Sequence, residues 1–287
     1  NPMPYFAHRA PVMDPKRSAL LDFLPACFGG DVVPWLELCC TRLVPLTCTR
    51  RQDSRASRSA RSVRPLLRRS VYSFLSSLLA HWAPSGTSDS SMLAALGRLL
   101  SATDLLTALK EETQVLPGVL ADSPDPAAEL EREAVHSALL LLDALLALPF
   151  PGSSEAAASL ASAQRELAQS LIAFLSFPRD LTRPRQAELC RAALRCLLRI
   201  SRLPRPLEAS CWLGRDGSLR WLARFWSVVE ESPTAELCRQ ARLEGLQLAA
   251  RLLALPETAA RLLEADAALL DWPLHALLSS VALGEPV

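Results

Sequence analysis

Residues 128–149 read AELEREAVHSALLLLDALLALP and residues 235–256 read AELCRQARLEGLQLAARLLALP, two stretches of 22 residues that align without a gap. They share Ala-Glu-Leu at the head, an Arg and an Ala in the first two turns, and Leu-Leu-Ala-Leu-Pro at the end. A shorter copy, AELCRAALRCLLRISRLP, lies between them at 187–204, so that the copies begin 59 and then 48 residues apart. This recurrence constrains the fold more than any other feature. A unit with too much apolar surface to be solvated on all sides must stack on the units before and after it, which is the physics of a solenoid.

Each copy carries the punctuation of a helix. Asp125-Pro126, Arg183-Pro184 and Ser232-Pro233 precede the three heads. Proline is tolerated in a first turn, where its missing N–H would be unpaired anyway, and Asp125 or Ser232 can cap exposed amides. Glu129, Glu188 and Glu236 then sit near the positive end of the helix dipole. Pro149, Pro204 and Pro256 end the runs, because an interior proline costs about 3 kcal/mol.

Composition agrees with helix. Half of the residues are apolar but only 6% are aromatic, and isoleucine is confined to Ile172 and Ile200. The hydrophobic mass is therefore leucine and alanine, which favour helix, rather than the β-branched and aromatic residues of strands.

The stretch LEGLQLAARLLALPETAARLLEADAALLDWPLHALLSS at 243–280 resembles an armadillo-type repeat: a long helix, a turn at Pro256-Glu257, a short helix through Leu262-Leu263, an acidic bend at Glu264 to Asp266 and a further helix. The resemblance to armadillo and HEAT arrays extends over 125–283, the clearest repeats, and implies an all-α fold, a right-handed α-solenoid of stacked helical hairpins. One departure matters. Armadillo proteins that grip extended peptides use an asparagine ladder, and the only asparagine here is Asn1. Capture of a peptide backbone by that route is not expected.

The rest of the chain is expected to organise around these repeats. Residues 1–12 form a loose lead-in and 13–287 a single helical-repeat domain, with helices at 14–28, 31–48, 66–82 and 89–109. The polar segment 49–65, rich in Arg and Ser, offers nothing to bury and reads as a mobile loop. At 210–232 the turn Gly214 to Gly217 joins two apolar arms as a helix–turn–helix junction. The proline-rich start has no apolar signal-peptide core, and a first residue of Asn rather than Met leaves room for a longer protein. The richest apolar run, 138–150, is too short to span a bilayer and carries Asp143, so no membrane span is expected.

The chemistry of a catalyst is missing from the sequence. No nucleophile elbow, dinucleotide fingerprint, metalloprotease helix or phosphate loop is present, so no enzyme, cofactor or metal is expected. Glu133 and His136 share a helix face, but a di-iron bundle needs two such pairs and further carboxylates. The eight cysteines lack C-x-x-C spacing and lie mostly in apolar runs. They read as small hydrophobes in a reducing compartment, cytoplasm or nucleus. Trp212, Trp221, Phe225 and Trp226 read as core rather than as an aromatic anchor.

Two basic features remain. Arg50, Arg51, Arg55, Arg58, Arg61, Arg64, Arg68 and Arg69 crowd one segment with Asp53 as the only acid, which suits an import signal, a phosphorylation switch or phosphate contacts as well as a solvated loop. Arg191, Arg195, Arg199 and Arg202 fall within about 80° of one another around a helix, opposite Leu189, Ala193, Cys196 and Ile200. Such a stripe repels itself unless acids offset it, either within the array, with Glu230, Glu231 and Glu236 as candidates, or on a partner. The expectation is a non-catalytic scaffold or adaptor whose partners are other proteins, with acidic or helical segments meeting this stripe. A nucleic-acid-associated repeat is the alternative, and the net charge of +1 does not favour it.

Overall fold

A computed structural model describes residues 33–44, 58–82, 90–119, 126–150, 154–176, 184–203, 207–214, 221–222, 236–256 and 260. They are helical, with no strand among the described residues, so the all-α class holds. The helices are α1 (Val33–Leu38, continued by a π-helical turn at Cys39–Leu43), α2 (Arg58–Trp82), α3 (Ser90–Ala102), α4 (Leu105–Val119), α5 (Pro126–Ala147), α6 (Glu155–Leu175), α7 (Pro184–Ile200) and α8 (Glu236–Leu253); a 3-10 turn at Ala209–Trp212 follows α7.

The three repeat copies form α5, α7 and α8. Helices α5 and α7 begin at Pro126 and Pro184, and all three stop short of Pro149, Pro204 and Pro256. Local proline chemistry thus fixes these ends as the sequence implies. Helix α6 is capped by a side chain instead: the Ala157 amide donates to Ser154 Oγ over 3.2 Å.

Consecutive copies lie side by side. Helix α2 packs on α5, α5 on α7, and α7 on α8. The register is parallel. Arg69 meets Glu133 and Ser73 meets Ser137, each 64 residues on, so the partners advance together along α2 and α5. Between α5 and α7, Cys196 Sγ donates to the Leu139 carbonyl 57 residues earlier, within a turn of the spacing between the copies. A second set of contacts joins α3 and α4 to α6, and α6 to the 3-10 turn, while α4 meets α5 and α6 meets α7. In that set Gly97 of α3 lies against Ala156 of α6, where a Cβ on the glycine would stand 3.4 Å from the alanine methyl.

Buried apolar side chains from Leu36 to Leu252 form one continuous cluster. Leu139, Leu142 and Leu145 of α5, Leu171 of α6 and Leu194 and Leu197 of α7 are almost fully enclosed. Each such leucine contributes about 1.5–3 kcal/mol relative to exposure. The aromatic residues follow the core reading where they are described. Trp212 and Trp221 are buried, and the Trp221 indole donates to the Trp212 carbonyl over 2.9 Å. Phe225 and Trp226 lie outside the described residues.

Two expectations differ from the structure. The segment 49–65 is helical from Arg58 onward, because the body of α2 is anchored against α5 and the helix continues upstream past Pro65; residues 49–57 lie outside the described residues. The single helix expected at 89–109 is two, α3 and α4, broken at Thr103 and Asp104. The lead-in 1–12, the helix at 14–28 and residues 261–283 of the armadillo-type stretch lie outside the described residues. Among the described residues no helix is long and apolar enough to cross a membrane.

Candidate functional site: the arginine face of α7

Helix α7 presents its two faces as its sequence requires. Leu189, Ala193, Cys196 and Ile200 are buried, and burial together with the neighbouring Asp143 holds the Cys196 thiol well above the usual thiol range. The opposite face carries the arginine stripe, and acids within the array meet three of its four members. Arg191 Nε donates to Glu244 Oε1 of α8 over 3.3 Å. Arg195 Nη2 donates to Asp143 Oδ2 of α5, with its Nε 4.0 Å from Glu244. Arg199 Nε donates to Asp143 Oδ1 over 3.3 Å. The stripe is thus a charged seam that joins α5, α7 and α8.

Among the described residues the acids that meet the stripe are Asp143 and Glu244. Glu230 and Glu231 lie outside the described residues, and the Glu236 side chain is not described. Asp143 and Glu244 do the compensating because the stacking register sets them opposite the stripe. Asp143 had a visible signal, a lone charge in an otherwise apolar run. Glu244 had none. It is buried enough that desolvation raises its pKa above the usual carboxylate value, with Arg191 and Arg195 opposing the shift and Asp143 adding to it.

Arg202 stands apart. It is exposed at the C-terminal end of α7, and its pKa is lowered by desolvation and then by the charges of Arg251 and Arg199. Neither Arg202 nor Arg251 forms an ion pair among the described residues. Beside Arg202 opens a cleft of about 270 Å³ bounded by the ends of α5 and α7 and the first half of α6. Leu146, Leu148, Phe150, Leu160 and Leu203 make its apolar lining, and Arg199 and Arg202 its charged edge. A second hollow, between Ser201 at the end of α7 and Arg251 in the last turn of α8, is lined by Leu207, Trp212 and Leu255.

The other basic cluster is largely structural where its side chains are described. Arg68 is buried and donates through Nη1 to Glu112 Oε1 over 2.7 Å and through Nη2 to Glu131. Burial works against its charge, but Glu112 and Glu131 outweigh that and raise its pKa. Arg69 donates to Glu133 over 2.6 Å, which also engages the carboxylate of the Glu133 and His136 pair. Arg58, Arg61 and Arg64 lie in the first turns of α2, and Arg50, Arg51 and Arg55 lie outside the described residues.

Among the described residues no three metal-ligating side chains converge. Burial pushes the Cys39 thiol up to about 11 and, with Cys39 beside it, the Cys40 thiol up to about 12. Neither is poised as a thiolate at neutral pH. Compared with protein-family models, with curated proteins and with solved structures, the chain gives no significant match.

Proposed function

We propose that the chain is a non-catalytic scaffold or adaptor, an armadillo/HEAT-type α-solenoid that holds partner segments on its helical surface within a larger nuclear or cytoplasmic assembly. The observation that carries this reading is the in-register stack of α2, α5, α7 and α8 beside the second set formed by α3, α4 and α6. A row of like helices offers an extended ridged surface on which contacts from a partner can repeat. The alternative, a nucleic-acid-associated repeat, is weakened by the carboxylates that already engage Arg68, Arg69, Arg191, Arg195 and Arg199. A phosphate would have to displace them.

The test is affinity purification of the full chain from cell extract, with and without nuclease and at low and moderate salt. The scaffold reading expects partner proteins recovered in stoichiometric amount and unaffected by nuclease. Partners lost on nuclease treatment, with binding that falls steeply with salt, would favour the nucleic-acid reading instead. Turnover of a substrate by the purified chain would end the non-catalytic one.

A further inference from the structure

We propose that the cleft at the C-terminal ends of α5 and α7 docks an acidic segment of a partner protein that inserts one large apolar side chain, an inference that rests on the scaffold reading above. The cleft has two parts of different chemistry. Its lining, Leu146, Phe150, Leu160 and Leu203, is apolar and encloses about 270 Å³. That falls below the roughly 300–1,000 Å³ of sites for whole small ligands and suits an anchoring side chain.

Its edge, Arg199 and Arg202, carries more positive charge than carboxylates among the described residues offset. Arg199 is engaged by Asp143, but Arg202 pairs with no carboxylate among the described residues, and the charge of Arg251, which lines the neighbouring hollow and likewise pairs with no carboxylate among the described residues, bears on Arg202. Both stand at helix C-termini, α7 and α8 respectively, where each macrodipole supplies about half a negative charge. Two such ends cancel about one of the two positive charges, and an excess of about one remains among the described residues. A carboxylate from outside answers that excess with charge-assisted hydrogen bonds to guanidinium groups. An apolar anchor in a pocket with a charged rim around it is the usual anatomy of a strong contact between proteins.

The experiment pans a random short-peptide display library on the full chain and measures the enriched peptides by fluorescence polarisation on two variants. Arg202→Glu with Arg251→Glu reverses the charge at the rim and beside it, at exposed positions, and Ala161→Trp fills the cleft; circular dichroism checks that each variant keeps the wild-type helix content. The expected result is enrichment of peptides with an Asp or Glu beside a large apolar residue, each bound at least about tenfold more weakly by both variants. Enriched peptides that bind the rim-reversed variant as tightly as wild type overturn the cleft and leave the scaffold reading standing. Failure to enrich any peptide counts against both. A single-stranded oligonucleotide that outcompetes the peptides, and that the rim-reversed variant no longer binds, would mean that the arginines serve phosphates. Should Ala161→Trp not fold, the rim reversal alone decides.

Discussion

Asp143 stands between Arg195 and Arg199, which lie 52 and 56 residues further along the chain, and accepts a hydrogen bond from each. Its side chain is only 9% exposed, so the carboxylate has given up most of its water and depends on the two guanidinium groups instead. Replacing it with alanine removes both hydrogen bonds and leaves two like charges side by side. The arginines are about one-third exposed and can turn to solvent, which limits the cost. Asp143→Ala is expected to destabilise the protein by about 1–3 kcal/mol in urea unfolding. A change under about 0.5 kcal/mol, the size of an ordinary surface substitution, would mean the seam is not formed.

Arg68 presents the harder case, because both it and Glu112 are buried. Truncating one member of such a pair strands the other charge, so Arg68→Ala is expected to cost about 3–5 kcal/mol. The double variant Arg68→Met with Glu112→Leu removes both charges while keeping volume, and should recover most of that loss. Glu131, at 30% side-chain exposure, can then be hydrated. Equal destabilisation by the single and double variants would show that packing, not charge, holds this position.

Glu244 gives the fold a defined pH dependence. Burial raises its folded pKa above the ordinary carboxylate value. As pH climbs through the window between the two values, the unfolded chain ionises first and the folded chain still holds the proton, so this group's contribution to stability falls. Glu244→Gln cannot ionise. Stability of the wild type relative to Glu244→Gln should therefore decline as pH rises across that window and level off above it, as read from thermal or denaturant midpoints. A relative stability that increases with pH would reverse the assignment.

Cys39 and Cys40 should be inert in the folded protein. With thiols pushed up to about 11 and about 12 and both side chains enclosed, the thiolate fraction at pH 8 is on the order of one in a thousand or less. Iodoacetamide at that pH is expected to label both only after unfolding, as peptide mass spectrometry would reveal. Rapid labelling of the native chain would place them at an accessible site.

Much of this was legible in advance, for a physical reason. Helix ends are written in residues whose effect is local: Pro126 and Pro184 open α5 and α7, and Pro149 and Pro204 cannot continue them. The buried face of α7, from Leu189 to Ile200, follows from helical periodicity alone. The boundary at Arg58 was not legible in the same way. Composition around Arg58, Arg61 and Arg64 describes a chain with nothing to bury, whereas the helix there is continued from Arg68, Val71, Tyr72 and Leu75, whose anchorage lies on other helices.

What the amino-acid sequence decides unaided is the kind of element and its repetition. Leucine and alanine at helical spacing, closed by proline, yield rods that need neighbours, since these effects act within a few residues. Only the tertiary structure decides who faces whom. The four arginines of the stripe are one pattern in the sequence, yet Arg191, Arg195 and Arg199 are drawn into the seam with Asp143 and Glu244 while Arg202, in the turn that follows α7, is left at the edge of a cleft and within the influence of the Arg251 charge. That division depends on the register in which rods distant in sequence are laid against one another, and the register is chosen by the packing of the whole core.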